Sequence, residues 1–189
     1  MGVIRLDMSM SLDGYVAGPE DDESNPMGLG GFRLFNWLDH RDEKGPHGDA
    51  YAETMASRAF ISGRRTYELA NHWGGDLHGG APVFVLTHDV PDEPPPGSIR
   101  IMTDVLECAT AAREAAGEAA TSVLGTGAAQ ALLNAGELDE LALHVVPVLL
   151  GQGRRLFDHL RADPVSLELV RRVSTPDVEH LRYRVGRQG

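Results

Sequence analysis

The stretch Val123-Leu124-Gly125-Thr126-Gly127-Ala128-Ala129-Gln130-Ala131-Leu132 decides how the rest of this chain is read. A short run, 122–124, enters a glycine turn, and small residues follow at once with helical periodicity. That pattern predicts a strand, a turn and a helix whose first backbone N–H groups face an anion such as a phosphate. The spacing is G-x-G-x-x-Q, without the third glycine of the Rossmann dinucleotide fingerprint, and no acidic strand end follows at the expected distance. The turn alone therefore names a ligand type, and its neighbours must supply the fold.

Outward from this turn the chain alternates strands and helices. Ile4, Leu6, Met8 and Met10 alternate with Arg5, Asp7 and Ser9, a strand pattern that runs into the Asp13-Gly14 turn and the triplet Tyr15-Val16-Ala17 before Gly18. Residues 19–31 read as a long loop of the kind that forms functional lids. Helices are expected over 32–40, 49–57, 64–71, 104–117 and 128–135. Asp104 with Glu107 caps the fourth, and Gly136 closes the fifth. Strands are expected over 59–62, 82–87, 99–102, 121–124 and 141–148. Residues 165–173 and 178–185 form a terminal hairpin around Thr175-Pro176-Asp177. This order predicts one α/β domain over residues 1–189, with a largely parallel sheet flanked by helices and an antiparallel C-terminal edge.

Composition sets the limits of function. The 189 residues carry 17 basic and 28 acidic side chains, a net charge of −11. That balance argues against nucleic acid or an anionic membrane as partner. An anionic ligand must be met by local donors. No apolar run approaches the roughly 18 residues of a membrane span. The N-terminal residues lack a signal-peptide core, and Cys108 is the single cysteine, so a reducing cytoplasm is expected. The eight histidines show no metal-ligand spacing, and no metal is expected. The acidic run 20–23 reads as a solvated loop.

Two further strand ends carry polar chemistry. Ile61-Ser62-Gly63-Arg64-Arg65-Thr66-Tyr67-Glu68 puts a glycine, two guanidinium groups and a hydroxyl where a strand passes into a helix. This is either an oxyanion grip or a glycine turn with solvated arginines. Val83-Phe84-Val85-Leu86-Thr87-His88 ends a buried strand in polar residues, and ligands of open α/β sheets lie beyond such ends. A later turn, Gly151-Gln152-Gly153-Arg154-Arg155, reads as a second anion site or, more simply, a tight turn returning Leu156 and Phe157 to the core.

Taken in order, SLDGYVAG (11–18), ISGRRTYE (61–68), VFVLTH (83–88) and residues 123–157, in which LDELALHVVPVLLGQGRRLF (138–157) is the most specific portion, resemble the dihydrofolate reductase-like superfamily. The likeness is nearer to the branch containing the reductase domain of riboflavin biosynthesis. The resemblance implies a single α/β domain of about eight strands that binds NADPH and pairs as a homodimer. It implies that Gly63, Arg64 and Thr66 hold phosphates of the adenosine half, with Arg64 or Arg65 reading the 2′-phosphate. Leu86, Thr87 and His88 would line the adenosine, Gly125, Thr126, Gly127 and Ala128 would meet the pyrophosphate, and Ala17 and Gly18 would flank the nicotinamide. The activity implied is hydride transfer to a small, pterin- or pyrimidine-like substrate. The alternative is a nucleotide-binding homodimer without turnover. The proton donor is unassigned, with Asp13 and Asp39 as candidates.

Overall fold

The computed structural model describes residues 2–161 and 163–186. Its centre is an eight-stranded sheet with the N-terminal strand inside it. The strands are β1 (Ile4–Ser11), β3 (Ala59–Gly63), β4 (Val83–Leu86), β5 (Ile99–Met102), β6 (Thr121–Leu124), β7 (Glu140–Val146), β9 (Leu167–Ser174) and β10 (Glu179–Val185). They lie in the order β5-β4-β3-β6-β1-β7-β10-β9. All pairs are parallel except those of β10, which runs antiparallel to both β7 and β9. The expected mostly parallel sheet with an antiparallel C-terminal edge is thus the observed one.

Two chemistries share this sheet because strand side chains alternate between its faces. On one face Ile4 and Leu6 meet Ile61, Val123 and Leu141 under α3 (Val105–Ala116) and α4 (Thr126–Ala135), all buried. Asp104 caps α3 as expected, accepting hydrogen bonds from the N–H groups of Leu106 and Glu107 at 2.8 and 2.9 Å. Cys108 packs inside this layer, and burial pushes its thiol pKa up to about 12, which leaves it inert. The opposite face carries Asp7, Ser9, His144 and His180. A 3₁₀ segment (Gly31–His40) and α1 (Pro46–Met55) cover it, with Trp37 and Ala50 facing inward.

Several boundaries differ from the sequence reading. The helix expected over 32–40 is a 3₁₀ segment with Gly30 in the left-handed region ahead of it and no side-chain cap. The helix expected from 49 begins at Pro46, whose fixed φ and missing N–H suit a first helical position. The helix expected over 64–71 stops at Leu69, giving α2 (Arg64–Leu69), and a second 3₁₀ segment follows (Asn71–Gly75). The helix after the decisive turn starts at Thr126, two residues early, and the strand expected to reach 148 ends at Val146. The tight turn after residue 150 contains a two-residue strand, β8 (Arg154–Arg155), which pairs antiparallel with β2 (Tyr15–Ala17).

Candidate functional site

Connections from β1 lead to one side of the sheet and connections from β6 lead to the other. A crevice therefore opens at the C-terminal ends of these two neighbours, where the strand order reverses. Gly125 stands there with φ 89° and ψ 155°, a conformation open only to glycine. A Cβ on Gly125 would lie 2.1 Å from Thr66 Oγ1, so the turn and the first turn of α2 touch through the missing side chain. Gly63 adjoins Ala128 in the same way, its added Cβ 3.4 Å from the Ala128 nitrogen. Above Gly127 there is nothing within 4 Å of an added Cβ.

The first backbone bond of α4 runs from Ala129 N–H to Gly125 O at 3.3 Å. The N–H groups of Thr126, Gly127 and Ala128 precede it, and no side chain caps them. They form a donor cradle that is open at Gly127 and adjoins Gly63 at Ala128. These features fit the pyrophosphate of a dinucleotide. Leu86 ends β4 beside Gly63, Thr87 is buried behind it, and His88 is exposed. The strand ends at Gly63–Arg64, Leu86–His88 and Gly125–Ala128 are thus brought to one rim.

The arginines are not free. Arg64 donates to Glu68 Oε1 at 2.6 Å and pairs with Asp89. Arg65 donates from Nε to Asp21 Oδ2 at 3.0 Å. Asp21 also receives Arg154 Nη2 at 3.0 Å. The acidic run was expected to be solvated, yet the Asp21 side chain is only 14% exposed, because two guanidinium groups from α2 and β8 enclose it. The loop 19–31 is thereby latched across the rim, and a cavity of about 510 Å³ lies between Asp21–Ser24 and Arg65–Leu69.

Ala17 and Gly18 are buried at the start of this loop. Gly18 N–H donates to Met27 O at 2.9 Å, and Cβ atoms on Gly18 or Gly153 would collide with the backbone of Leu29 or Ala17. Of the candidate proton donors, Asp13 holds its turn together. It accepts from Ser11 Oγ at 2.6 Å and from the N–H groups of Leu150 and Gly151. The Ser11 hydroxyl, followed by these amides, keeps its carboxyl below the usual range, so it stays an ionised acceptor. Asp39 is exposed near the end of the first 3₁₀ segment.

Sequence reasoning missed the polar face beneath Trp37. Its members lie far apart in the chain, and only the strand register unites them.

The fold is that of the dihydrofolate reductase-like proteins, with the glycine cradle at its switch point. The chain belongs to the RibD C-terminal domain family, whose model matches residues 3–178. It is similar to a structure from Shewanella sp. PV-4 described as a candidate riboflavin biosynthesis protein. The TM-score is 0.72 and the identity 21%, over 99% of this chain and 100% of that one. A diaminohydroxyphosphoribosylaminopyrimidine deaminase/5-amino-6-(5-phosphoribosylamino)uracil reductase from Thermotoga maritima matches with TM-score 0.66 and 14% identity, over 97% of this chain and 56% of that one. Dihydrofolate reductase from Enterococcus faecalis, solved with NADP(H) and RAB-propyl, matches with TM-score 0.57 and 18% identity, over 97% and 95%. No curated protein matches the chain.

Proposed function

We propose that this chain is an NADPH-dependent reductase of a small pterin- or pyrimidine-like substrate. The observation that carries the reading is the Gly125–Ala128 cradle, open above Gly127 and backed by Thr66. Support comes from the family, and from related folds whose names include reductases and a complex with NADP(H). When bound, the nicotinamide supplies a hydride. The chain's own part is to hold and orient the cofactor and to exclude water. Thr126, Gly127 and Ala128 present N–H groups to the pyrophosphate, Gly63 and Thr66 line its adenosine side, and Leu86, Thr87 and His88 border the adenosine. Ala17 and Gly18 flank the nicotinamide. Arg64 or Arg65 reads the 2′-phosphate by exchanging a carboxylate partner for the ligand. Both arginine side chains are about half exposed, so solvent screens their present pairs and leaves them exchangeable, those of Arg64 more than the Arg65 pair with the enclosed Asp21. In this reading the whole chain acts as one domain, in the cytoplasm, as a homodimer. The apolar residues Leu167, Leu169 and Val170, exposed on the edge strand β9, support pairing.

Titration of NADPH and of NADH, followed by quenching of Trp37 and Trp73, tests the reading. Tight NADPH with weak NADH binding is expected, and Arg64→Ala or Arg65→Ala should erode the preference. Binding of neither cofactor overturns it. Absorbance at 340 nm with dihydrofolate, a ribosylaminopyrimidine and simple carbonyls then reads turnover. Binding without oxidation favours a nucleotide-binding homodimer instead.

Asp21 gives a further expectation. Its carboxylate holds Arg65 and Arg154 in competition with an anionic ligand. Asp21→Asn should tighten NADPH binding by about fivefold or more, because this largely enclosed carboxylate holds two guanidinium groups at once. The same variant should show a steeper salt dependence, because no internal carboxylate then offsets the attraction of the two guanidinium groups for the anion. Unchanged or weaker binding would show that the latch does not compete with the cofactor.

A further inference from the structure

The pairs Arg64-Arg65 and Arg154-Arg155 are each split by the element that carries them. Arg154 and Arg155 form β8, and side chains on a strand alternate between its faces. Arg155 lays its guanidinium 4.5 Å over the Tyr15 ring and donates to the Tyr15 hydroxyl at 3.0 Å. Arg154 faces the other way and meets Asp21 of loop 19–31. Arg64 and Arg65 open α2, and they too diverge: Arg64 pairs with Glu68 and Asp89, and Arg65 with Asp21. One guanidinium from each pair therefore reaches the same carboxylate.

Arg65 donates from Nε to Asp21 Oδ2 at 3.0 Å and from Nη2 to the Asp21 carbonyl at 2.5 Å. Arg154 donates from Nη2 to Oδ1 and Oδ2 at 3.2 and 3.0 Å, and from Nε to Oδ2 at 3.3 Å. Guanidinium groups gathered on one oxyanion are how proteins hold phosphate and carboxylate ligands. Both donors stand on fixed elements. α2 begins where β3 ends, and β8 is pinned to β2 through Gly153, whose added Cβ would lie 2.1 Å from the Ala17 carbonyl oxygen. Of the three residues, only Asp21 belongs to a loop.

That loop has internal bonds that shape it without the arginines. Gly18 N–H donates to Met27 O at 2.9 Å and Leu29 N–H to Pro19 O at 2.8 Å, which closes its base. At its tip Asp22 Oδ1 accepts from the N–H groups of Ser24 and Asn25, both at 2.8 Å. Glu20, beside Asp21, is held in the left-handed region at φ 60°, a strained conformation that lasts only where contacts impose it. The cavity of about 510 Å³ lies between the tip and Arg65, Glu68 and Leu69, so the loop has room to shift.

We infer that Arg65 and Arg154 form a binding site for a phosphate monoester, and that Asp21 fills it as a tethered stand-in until the ligand arrives. A monoester brings a charge of about −2 and three acceptor oxygens, where a carboxylate has one charge and two oxygens. It therefore satisfies both guanidinium groups more fully than Asp21 does. The tether gives Asp21 a high local concentration, on the order of millimolar for a short flexible link, which a ligand with further contacts in the crevice overcomes. When Asp21 leaves, Glu20, Asp22 and Glu23 leave with it. Two positive charges then remain at the rim, with Glu68, already paired with Arg64, as the acid of α2. An acidic chain meets an anion here by withdrawing acids of its own.

The site links the wall of the cradle to the start of the loop. Arg65 adjoins Thr66, which backs the Gly125 turn, and Arg154 pairs with Ala17 across β8 and β2. A 2′-phosphate on the cofactor and a phosphate on the substrate present the same chemistry to it. In the first case Arg154 joins Arg65 in reading the cofactor. In the second the two arginines fix the substrate, and Arg64 is left to the cofactor. Either ligand unlatches loop 19–31 as it binds. The choice between the two rests on the reductase reading; the phosphate site itself does not.

The test titrates the full chain with adenosine 2′-phosphate and, separately, ribose 5-phosphate at constant ionic strength, followed by amide NMR shifts. Failure of NADPH to bind would sink the reductase reading and leave the phosphate site to be judged by these probes. Asp21→Asn should bind at least one probe about fivefold or more tightly than the parent, and adding Arg154→Ala should remove that gain. A gain confined to adenosine 2′-phosphate places the cofactor there, and one confined to ribose 5-phosphate places the substrate there. An equal gain shows that the phosphate group alone is read. In the parent, saturation with the same probe should bring the amides of Asp22, Ser24 and Asn25 into fast motion by ¹⁵N relaxation, while those of Leu141 and Leu143 in β7 stay rigid. No gain for either probe overturns the site, as does a gain that survives Arg154→Ala. A loop as ordered with the probe bound as without it overturns the displacement of Asp21. Should the double variant not fold, Arg65→Ala on the Asp21→Asn background decides in its place.

Discussion

Gly125→Val is expected to abolish NADPH binding and to lower stability by several kcal/mol. The backbone at Gly125 sits at φ 89°, ψ 155°, where a side chain costs about 1–3 kcal/mol of strain. An added Cβ would also lie 2.1 Å from Thr66 Oγ1 and 3.1 Å from Thr66 Cβ, an overlap worth about 1–3 kcal/mol more. Relief requires the β6–α4 turn to move away from α2, and that movement dismantles the donor cradle. A loss of about 100-fold or more in affinity corresponds to roughly 2.7 kcal/mol, well within this range. Gly127→Ala separates stability from binding. Its Cβ meets nothing within 4 Å, and alanine is the better helix former, so denaturant unfolding should stay level or improve slightly. The methyl group would nevertheless fill the space over the cradle, and Trp quenching by NADPH should weaken. If Gly127→Ala binds NADPH as the parent does, the cofactor does not lie over that turn.

The second large effect is on pH. His180 is lowered from 6.5 to about 4 by its burial and by the two histidines beside it. In the unfolded chain the same imidazole takes up a proton near its ordinary pKa. Between these values the unfolded state binds more protons than the folded one, so stability is complete above about 6.5 and is lost as pH falls toward 4. The loss from this one residue is on the order of 3 kcal/mol. Asp177 and Glu179 have lowered pKa values, and their contribution goes only at still lower pH. Urea unfolding at a series of pH values between 7 and about 4.5 should show the slope, and His180→Phe should flatten it. A parent whose stability does not change across that interval would show that His180 titrates normally in the fold.

The architecture was legible because it rests on local patterns. Alternation in 4–10, apolar runs at 59–62 and 83–86 and the glycine turn at 125–127 each declare themselves within a few residues. The boundaries were less legible where tertiary contacts overrule propensity. The segment after Gly31 is wound as a 3₁₀ helix, with Leu34 and Trp37 buried in it. The cradle's members were legible as motifs, while the salt bridges that engage Arg64 and Arg65 were not. Asp21 reads as one acid among four until Arg65 and Arg154, 44 and 133 residues away, fold around it. The histidine cluster beneath Trp37 is more remote still. His144 and His180 face one another only because β10 pairs with β7 in a particular register, and His47 reaches His180 across 133 residues of sequence. No spacing rule within the sequence carries such a contact.

The placement of β1 has a consequence for the making of the protein. The first strand of the chain, Ile4–Ser11, sits between Thr121–Leu124 and Glu140–Val146. A ribosome delivers β1 first, yet neither of its neighbours exists until more than a hundred further residues have followed. Until then its two rows of backbone donors and acceptors and the apolar row Ile4, Leu6, Met8 and Met10 stand without partners. Such long-range pairing makes for slow assembly and a nascent chain open to mispairing, so this sheet closes late, from its middle, when β6 and β7 arrive on either side of a strand that has been waiting.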